Sequence, residues 1–353
     1  MNVLIMNLGI VFFFGFFSRY FAKPAITGPL DIRPNRLVLL FSIISLVLVS
    51  GLRKNIGDTS FYMHSYAITN FNWEYVKKSE DVGFVLYQML LKSYTDDPQV
   101  LIFVTAAITN ILIVVVLCRY SRYIEISLYV YITSGMYLVS MNGIRQFLTA
   151  ALVFTATKYI FDGNWKKYVL VVLIASLFHQ SALILIPIYF LIRRKAWTGT
   201  SFLLLFLSIC VVLLFQEFSE FLFAAIKDTQ YEHYKGFSEG GANFLRVVVT
   251  GVPLILAYMG RDKLRELFPE SDYIVNMSLL GLFFMIISTQ SWIFARFTIY
   301  FGLYQLLLIS WIIKLFAMNN QRFIYYSILV CYFLYFIYEH VVTLNIIYKS
   351  DFF

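Results

Sequence analysis

Apolar runs long enough to cross about 30 Å of hydrocarbon recur along the whole chain, near residues 2–20, 36–51, 98–117, 124–140, 146–161, 199–216, 244–260, 273–290, 296–314 and 323–342. Within a bilayer every backbone N–H and C=O must find its partner inside the protein, so runs of this length are expected to be helices. The chain is therefore read as an all-α polytopic membrane protein with about 10 transmembrane helices in a single domain over residues 1–353. Composition agrees, because 60% of the residues are hydrophobic and 14% charged, with a mean hydropathy of +0.75. A soluble fold has no means of hiding that much apolar surface.

The net charge of +8 is scattered between the apolar runs and builds no continuous basic face, which argues against a nucleic-acid partner. Its use is topological. The first run is Phe-rich, has no cation ahead of it and no small-residue cleavage site, and is followed by Arg19 and Lys23. It reads as a retained first span with its N-terminus outside. Residues 168–192 are the hard case. A single span there would put Lys166 and Lys167 on one side and Arg193, Arg194 and Lys195 on the other, against the positive-inside tendency. A re-entrant hairpin of two short helices meeting near His179 and Gln180, each rising about 18 Å, removes the conflict. Most of the 28 lysines and arginines then face the cytoplasm. The acids Asp58, Glu74, Glu80, Asp81, Asp96, Asp97, Glu217, Glu220, Asp228, Glu232 and Glu239 fall in two external loops, at about 52–97 and 217–243. The first loop carries amphipathic, aromatic-rich stretches around 61–75 and 82–91, suited to short helices at the membrane surface.

Cations at the ends of spans need a reason. Arg145 interrupts two apolar runs in Met141-Asn142-Gly143-Ile144-Arg145-Gln146. With Arg246 and Arg296 it is expected in the first turn of a span entered from outside, where a cation opposes the helix dipole. An anion would compensate, because a helix N-terminus offers unpaired N–H groups and arginine adds a two-donor fork for phosphate or carboxylate. The alternatives are snorkelling to lipid headgroups and pairing with an external acid. Arg53 and Asp58 flank a turn at Gly57 where the second span surfaces; Asp58 is a candidate general base or an N-cap for a helix starting at Thr59. His179 stands alone in an apolar segment, as a proton acceptor or as a structural hydrogen-bond partner. Cys118, Cys210 and Cys331 have no paired spacing, and no His or Cys set has metal-ligand spacing. Neither a metal nor a cofactor is expected.

These segments carry a resemblance. Gly51-Leu52-Arg53, Gly57-Asp58-Thr59 with Tyr62, Glu80 with Gly83-Phe84, Asn142-Gly143-Ile144-Arg145-Gln146, Phe178-His179-Gln180-Ser181-Ala182 with Pro187, and Arg296 with Tyr300 together resemble the EpsG-like family of bacterial exopolysaccharide polymerases, over most of the chain. The resemblance implies a Wzy-like enzyme of the bacterial inner membrane, similar in plan to the GT-C glycosyltransferases, that joins undecaprenyl-diphosphate-linked units at the outer face without a metal or nucleotide sugar. On that footing Arg145, Arg296 and Arg53 would stabilise the departing diphosphate, and His179 or Asp58 would accept the acceptor proton. Asn142, Gln146, Tyr62, Glu80, Gln180, Ser181, Arg246 and Tyr300 would contact substrate. Membrane lipids, a separate flippase and a chain-length regulator are the expected partners. An O-antigen-type ligase, a lipid-linked oligosaccharide flippase and a membrane acyltransferase are the competing readings. Against the flippase, the cations sit at span ends rather than in mid-span.

Overall fold

The computed structural model describes residues 1–24, 32–225 and 240–352, without the side chains of residues 222–225. Asp228, Glu232 and Glu239 therefore lie outside the described residues. The chain divides into two compact units, Met1–Phe190 with Ile309–Phe353, and Leu191–Leu308.

In the first unit α1 (Asn2–Tyr20) and α2 (Arg36–Gly51) pack together across a two-residue strand pair, β1 (Lys23–Pro24) and β2 (Ile32–Arg33). Asn35 starts α2 by accepting hydrogen bonds from the Leu37 and Val38 N–H groups, two of the donors that a helix N-terminus leaves without partners. Asp97 and Pro98 start α6 (Pro98–Tyr120) in the same way, the carboxylate accepting from the Gln99 N–H at 2.9 Å. The expected span at 124–140 is broken into α7 (Ile124–Thr133) and α8 (Met136–Asn142), bent by 56°. Gly135 is the reason. It has φ +86 and lies against the His340 ring, where a Cβ would come within 2.5 Å of Cε1, a position that only glycine fills without strain. There follow α9 (Ile144–Thr155), α10 (Thr157–Phe161), α11 (Trp165–Ser176), a 3-10 turn at Gln180–Ile184 and α12 (Leu185–Ile192).

The second unit holds α13 (Gly199–Leu213), α14 (Phe215–Ala225), α15 (Phe244–Met259), α16 (Arg261–Leu267), α17 (Ser271–Ile287) and a 3-10 turn at Trp292–Arg296. The division of the chain falls within α18 (Thr298–Ile312); α19 (Met318–Phe336), ending in a π-turn at Ile337–Thr343, belongs to the first unit. The run expected at 199–216 bends by 95° between α13 and α14, and α15 turns by 82° into α16. Glu217 and Glu220 accordingly sit on α14 rather than in an open loop. By length and composition four helices among the described residues can cross a membrane, or up to seven if each bent pair is one span. The other apolar helices, among them α2, α9 and α17, are shorter.

Residues 168–192 form a hairpin. The Tyr168 ring lies 4.9 Å from Tyr189 and the Trp165 ring 6.4 Å from Phe190, so the second arm returns to the end from which the first arm left. The tip, Leu177 to His179, reaches the segment between α2 and α6. That segment is ordered as α3 (Thr59–Ile68), α4 (Trp73–Lys78) and α5 (Val82–Lys92). Tyr62, Tyr66 and Phe84 from α3 and α5 share a core with Leu101 and Ile102 of α6 and Ile144 of α9, and Phe178 of the tip packs on it. Burying each such side chain stabilises the arrangement by about 1.5–3 kcal/mol. The Lys92 Nζ donates to the Tyr66, Ala67 and Thr69 carbonyls, closing the C-terminal end of α3.

Candidate functional site

The centre of the site is Asp81. It occupies the residue before α5 but does not cap that helix with its side chain. Instead its buried carboxylate, 3% exposed, joins three elements. Oδ2 accepts from the Arg145 Nη1 at 2.9 Å and lies 3.2 Å from His179 Nδ1, while Oδ1 accepts from the Gln180 N–H at 3.2 Å. A carboxylate only accepts, so the His179 proton facing it sits on Nδ1 and Nε2 is left as the basic nitrogen.

Gly83 makes this convergence possible. Its N–H donates to the Leu177 carbonyl at 2.7 Å, and a Cβ there would fall 2.8 Å from Leu177 Cβ and 2.9 Å from its carbonyl oxygen. The start of α5 and the end of α11 can approach this closely only because the side chain is missing. Gln180 Nε2 adds a bond to the Glu80 carbonyl at 3.2 Å. Glu80 itself is exposed; the neighbouring Asp81 is the acid that enters the site.

Arg145 lies in the first turn of α9, as expected from the sequence. Besides the bond to Asp81, its Nε donates to the Tyr62 hydroxyl at 3.3 Å, and the guanidinium carbon is 5.9 Å from the ring centroids of both Tyr62 and Phe84. Those contacts orient the plane of the fork, and the side chain is 38% exposed. Gln146, the next residue, is buried; Ser181 in the 3-10 turn is half-buried.

Beside this centre lies a second cluster. Arg53 is 1% exposed. Its Nε donates to Thr59 Oγ1 at 2.9 Å, Nη1 to the Ser50 carbonyl, and Nη2 to the Met141 carbonyl at 2.5 Å. Burial lowers its guanidinium from the ordinary arginine value to about 10, which still leaves it charged near neutral pH. Arg53 thus ties the end of α2 to the start of α3 and the end of α8. Gly57, at φ +54, turns the chain against Asn142, whose Oδ1 accepts the Asp58 N–H at 2.9 Å; a Cβ on Gly57 would meet that oxygen at 2.2 Å. The Asp58 carboxylate precedes α3 without capping it and is exposed. The C-terminal segment braces this cluster from behind. The Lys54 N–H donates to the Lys349 carbonyl at 2.9 Å, and the Lys349 N–H donates to Asn55 Oδ1 at 2.7 Å.

The remaining candidates belong to the second unit. Arg246 lies in the first turn of α15. Arg296 ends the 3-10 turn ahead of α18 rather than opening a helix, with its guanidinium 4.9 Å from the Trp292 ring centroid. Tyr300 is buried in α18. Among the described residues no group of three or more His, Cys, Asp or Glu side chains could hold a metal ion.

Arg145 and His179 thus meet on one carboxylate oxygen at the ends of apolar helices, in a helical protein with several helices long and apolar enough to cross a membrane. The chain belongs to the EpsG family, whose model matches residues 36–350. Membership suggests a membrane polysaccharide polymerase of glycosyltransferase type. No curated protein and no solved structure matches the chain.

Proposed function

We propose that this protein polymerises polysaccharide repeat units carried on undecaprenyl diphosphate, at the outer face of the bacterial inner membrane. The observation that carries the reading is the shared carboxylate oxygen of Asp81, which sets Arg145 and His179 side by side. In the transfer, the acceptor hydroxyl gives its proton to His179 Nε2 and its oxygen forms the new bond to the anomeric carbon of the donor. The bond from that carbon to the diphosphate breaks, and its electron pair leaves on the diphosphate oxygen. Arg145, planar and half-exposed, meets the charge that grows there; a preorganised donor of this kind is worth about 10²–10³ in rate.

Asn142, Gln146, Tyr62, Glu80, Gln180 and Ser181 surround this pair along the chain and supply polar groups for sugar and phosphate oxygens. Arg53, enclosed by protein acceptors, acts here as a positioning residue for the α8–α9 junction. Asp58, exposed and not engaged as a cap, is the second candidate base. Arg246, Arg296 and Tyr300 remain the anion and sugar contacts assigned to the second unit. About ten spans, both termini outside and a GT-C-like plan complete the reading, with a flippase delivering the substrate and a chain-length regulator limiting it.

The test is reconstitution of the purified protein with one defined undecaprenyl-diphosphate-linked repeat unit, scored by gel. A ladder of multiples with release of undecaprenyl diphosphate is the expected result. A single addition to a different lipid acceptor would make it a ligase. Movement of the intact lipid across the bilayer without bond formation would make it a flippase, and transfer of an acyl group would make it an acyltransferase.

A further inference from the structure

Asp81 places a carboxylate where a binder of anions gains nothing from one. It places a negative charge 2.9 Å from the arginine assigned to the donor diphosphate, and like charges brought together at one cation compete. A carboxylate retained there needs a task that outweighs the lost affinity. The geometry supplies one, since the same oxygen that accepts from Arg145 also faces His179 Nδ1 at 3.2 Å.

We infer that Asp81 is a positioning residue that the donor diphosphate shifts from Arg145 to His179. This rests on the function proposed above. Without donor, the Oδ2 of Asp81 is divided between guanidinium and imidazole, and the arginine draws most of its charge. When the diphosphate takes the Arg145 fork, the Asp81 oxygen is left to the His179 Nδ1–H, and that hydrogen bond shortens. Nε2 becomes a better proton acceptor only when a donor is in place. Asp81 Oδ1 stays anchored by the Gln180 N–H at 3.2 Å, so the carboxylate has no need to move far. Gly83, clamped to the Leu177 carbonyl at 2.7 Å, keeps the acid at the hairpin tip throughout. Among the described residues, the charged groups paired with His179 are Asp81 and, through it, Arg145.

The prediction has opposite signs for binding and for turnover, which a merely structural role does not produce. Asp81→Asn keeps the shape, removes the competing charge and removes the strong acceptor for Nδ1–H. Binding of undecaprenyl diphosphate to the purified variant in nanodiscs should tighten by about five- to tenfold, the usual scale of coupling between two sites. Turnover at saturating donor should fall by about 10² or more. Weaker binding, or binding and turnover both within twofold of the wild type, would overturn the proposal.

Should Asp81→Asn fail to fold, the wild type answers the same question. In protein labelled with ¹⁵N-histidine, with the His179 signal assigned by its loss in His179→Gln, the Nδ1 proton resonance should move downfield on addition of undecaprenyl diphosphate. An unmoved resonance at saturation would overturn the handover. The donor-binding measurement and the resonance shift both read out without any polymer forming. A protein that passes both yet makes no ladder would refute the polymerase reading alone, and one that makes a ladder yet fails them would refute the role of Asp81 alone.

Discussion

Arg145 was legible in the sequence because a cation between two apolar runs is costly unless something answers it. Among the answers in the structure are the Asp81 carboxylate and the Tyr62 hydroxyl. His179 stood out for the same reason, as the polar residue of an apolar segment. Asp81 did not. Five acids crowd residues 74–97, and nothing local separates the one that turns inward from those that stay solvated; the choice is made by the approach of Gly83 to Leu177, a contact of the folded chain. A partial signal was present in Asp81-x-Gly83-Phe84, since a glycine one residue into a helix has to be explained by a neighbour. Arg53 was legible as special but not as enclosed, because its acceptors include the Thr59 hydroxyl and a backbone carbonyl as distant as that of Met141. Two outcomes follow at this scale. Arg145→Lys keeps the charge but loses the two-donor plane, and should lose most polymerisation at near-normal expression; equal activity of Arg145→Lys, Arg145→Ala and wild type in a ladder assay would sink the diphosphate role. Gly83→Ala should push α5 from the hairpin tip, costing about 1–3 kcal/mol of stability and roughly 10²-fold in turnover through misplacement of Asp81. Thermal melting and turnover on one preparation measure both.

The hairpin of α11 and α12 is the element on which the topology turns. Charge counting asked for it, and the Tyr168–Tyr189 and Trp165–Phe190 ring contacts show its arms side by side. What the sequence left open was its purpose, because the tip acquires meaning only through the loop helices it meets. The breaks in other spans were less visible. Gly135 carries no signal by itself until the His340 ring occupies the space a Cβ would need, and Leu214 between α13 and α14 is an ordinary apolar residue at a 95° bend. The hairpin predicts that Asp162→Cys and Thr198→Cys, in a chain freed of Cys118, Cys210 and Cys331, both react with an impermeant maleimide only after lysis. Asp162 is the better probe on its side because Asn164 caps α11 through the Lys167 N–H. Labelling of one position from outside intact cells would reject the arrangement. The loop helices should be equally consequential: Phe84→Ala empties the core shared by α3, α5, α6 and α9, and is expected to cost about 3–5 kcal/mol and to release Arg145, read as a lower melting temperature with loss of turnover.

For the molecule as a whole, the apolar runs made helix and membrane readable at once, since period and composition act over tens of residues and no long-range contact is needed to see them. Family membership was readable from short polar blocks set between those runs. The chemistry needed the fold, because residues 62, 81, 145 and 179 become neighbours only when the segment between α2 and α6 and the hairpin tip converge at the start of α9. In the proposed reaction, that convergence is where the proton leaves the acceptor sugar. His179→Gln tests it most directly, since glutamine keeps a hydrogen-bonding side chain toward Asp81 but cannot take the proton. The measurement is the rate of undecaprenyl diphosphate release from a defined lipid-linked repeat unit, with donor binding followed on the same monodisperse protein. Release should slow by about 10²–10⁴ with donor affinity retained. Release at the wild-type rate would contradict the proposed reaction.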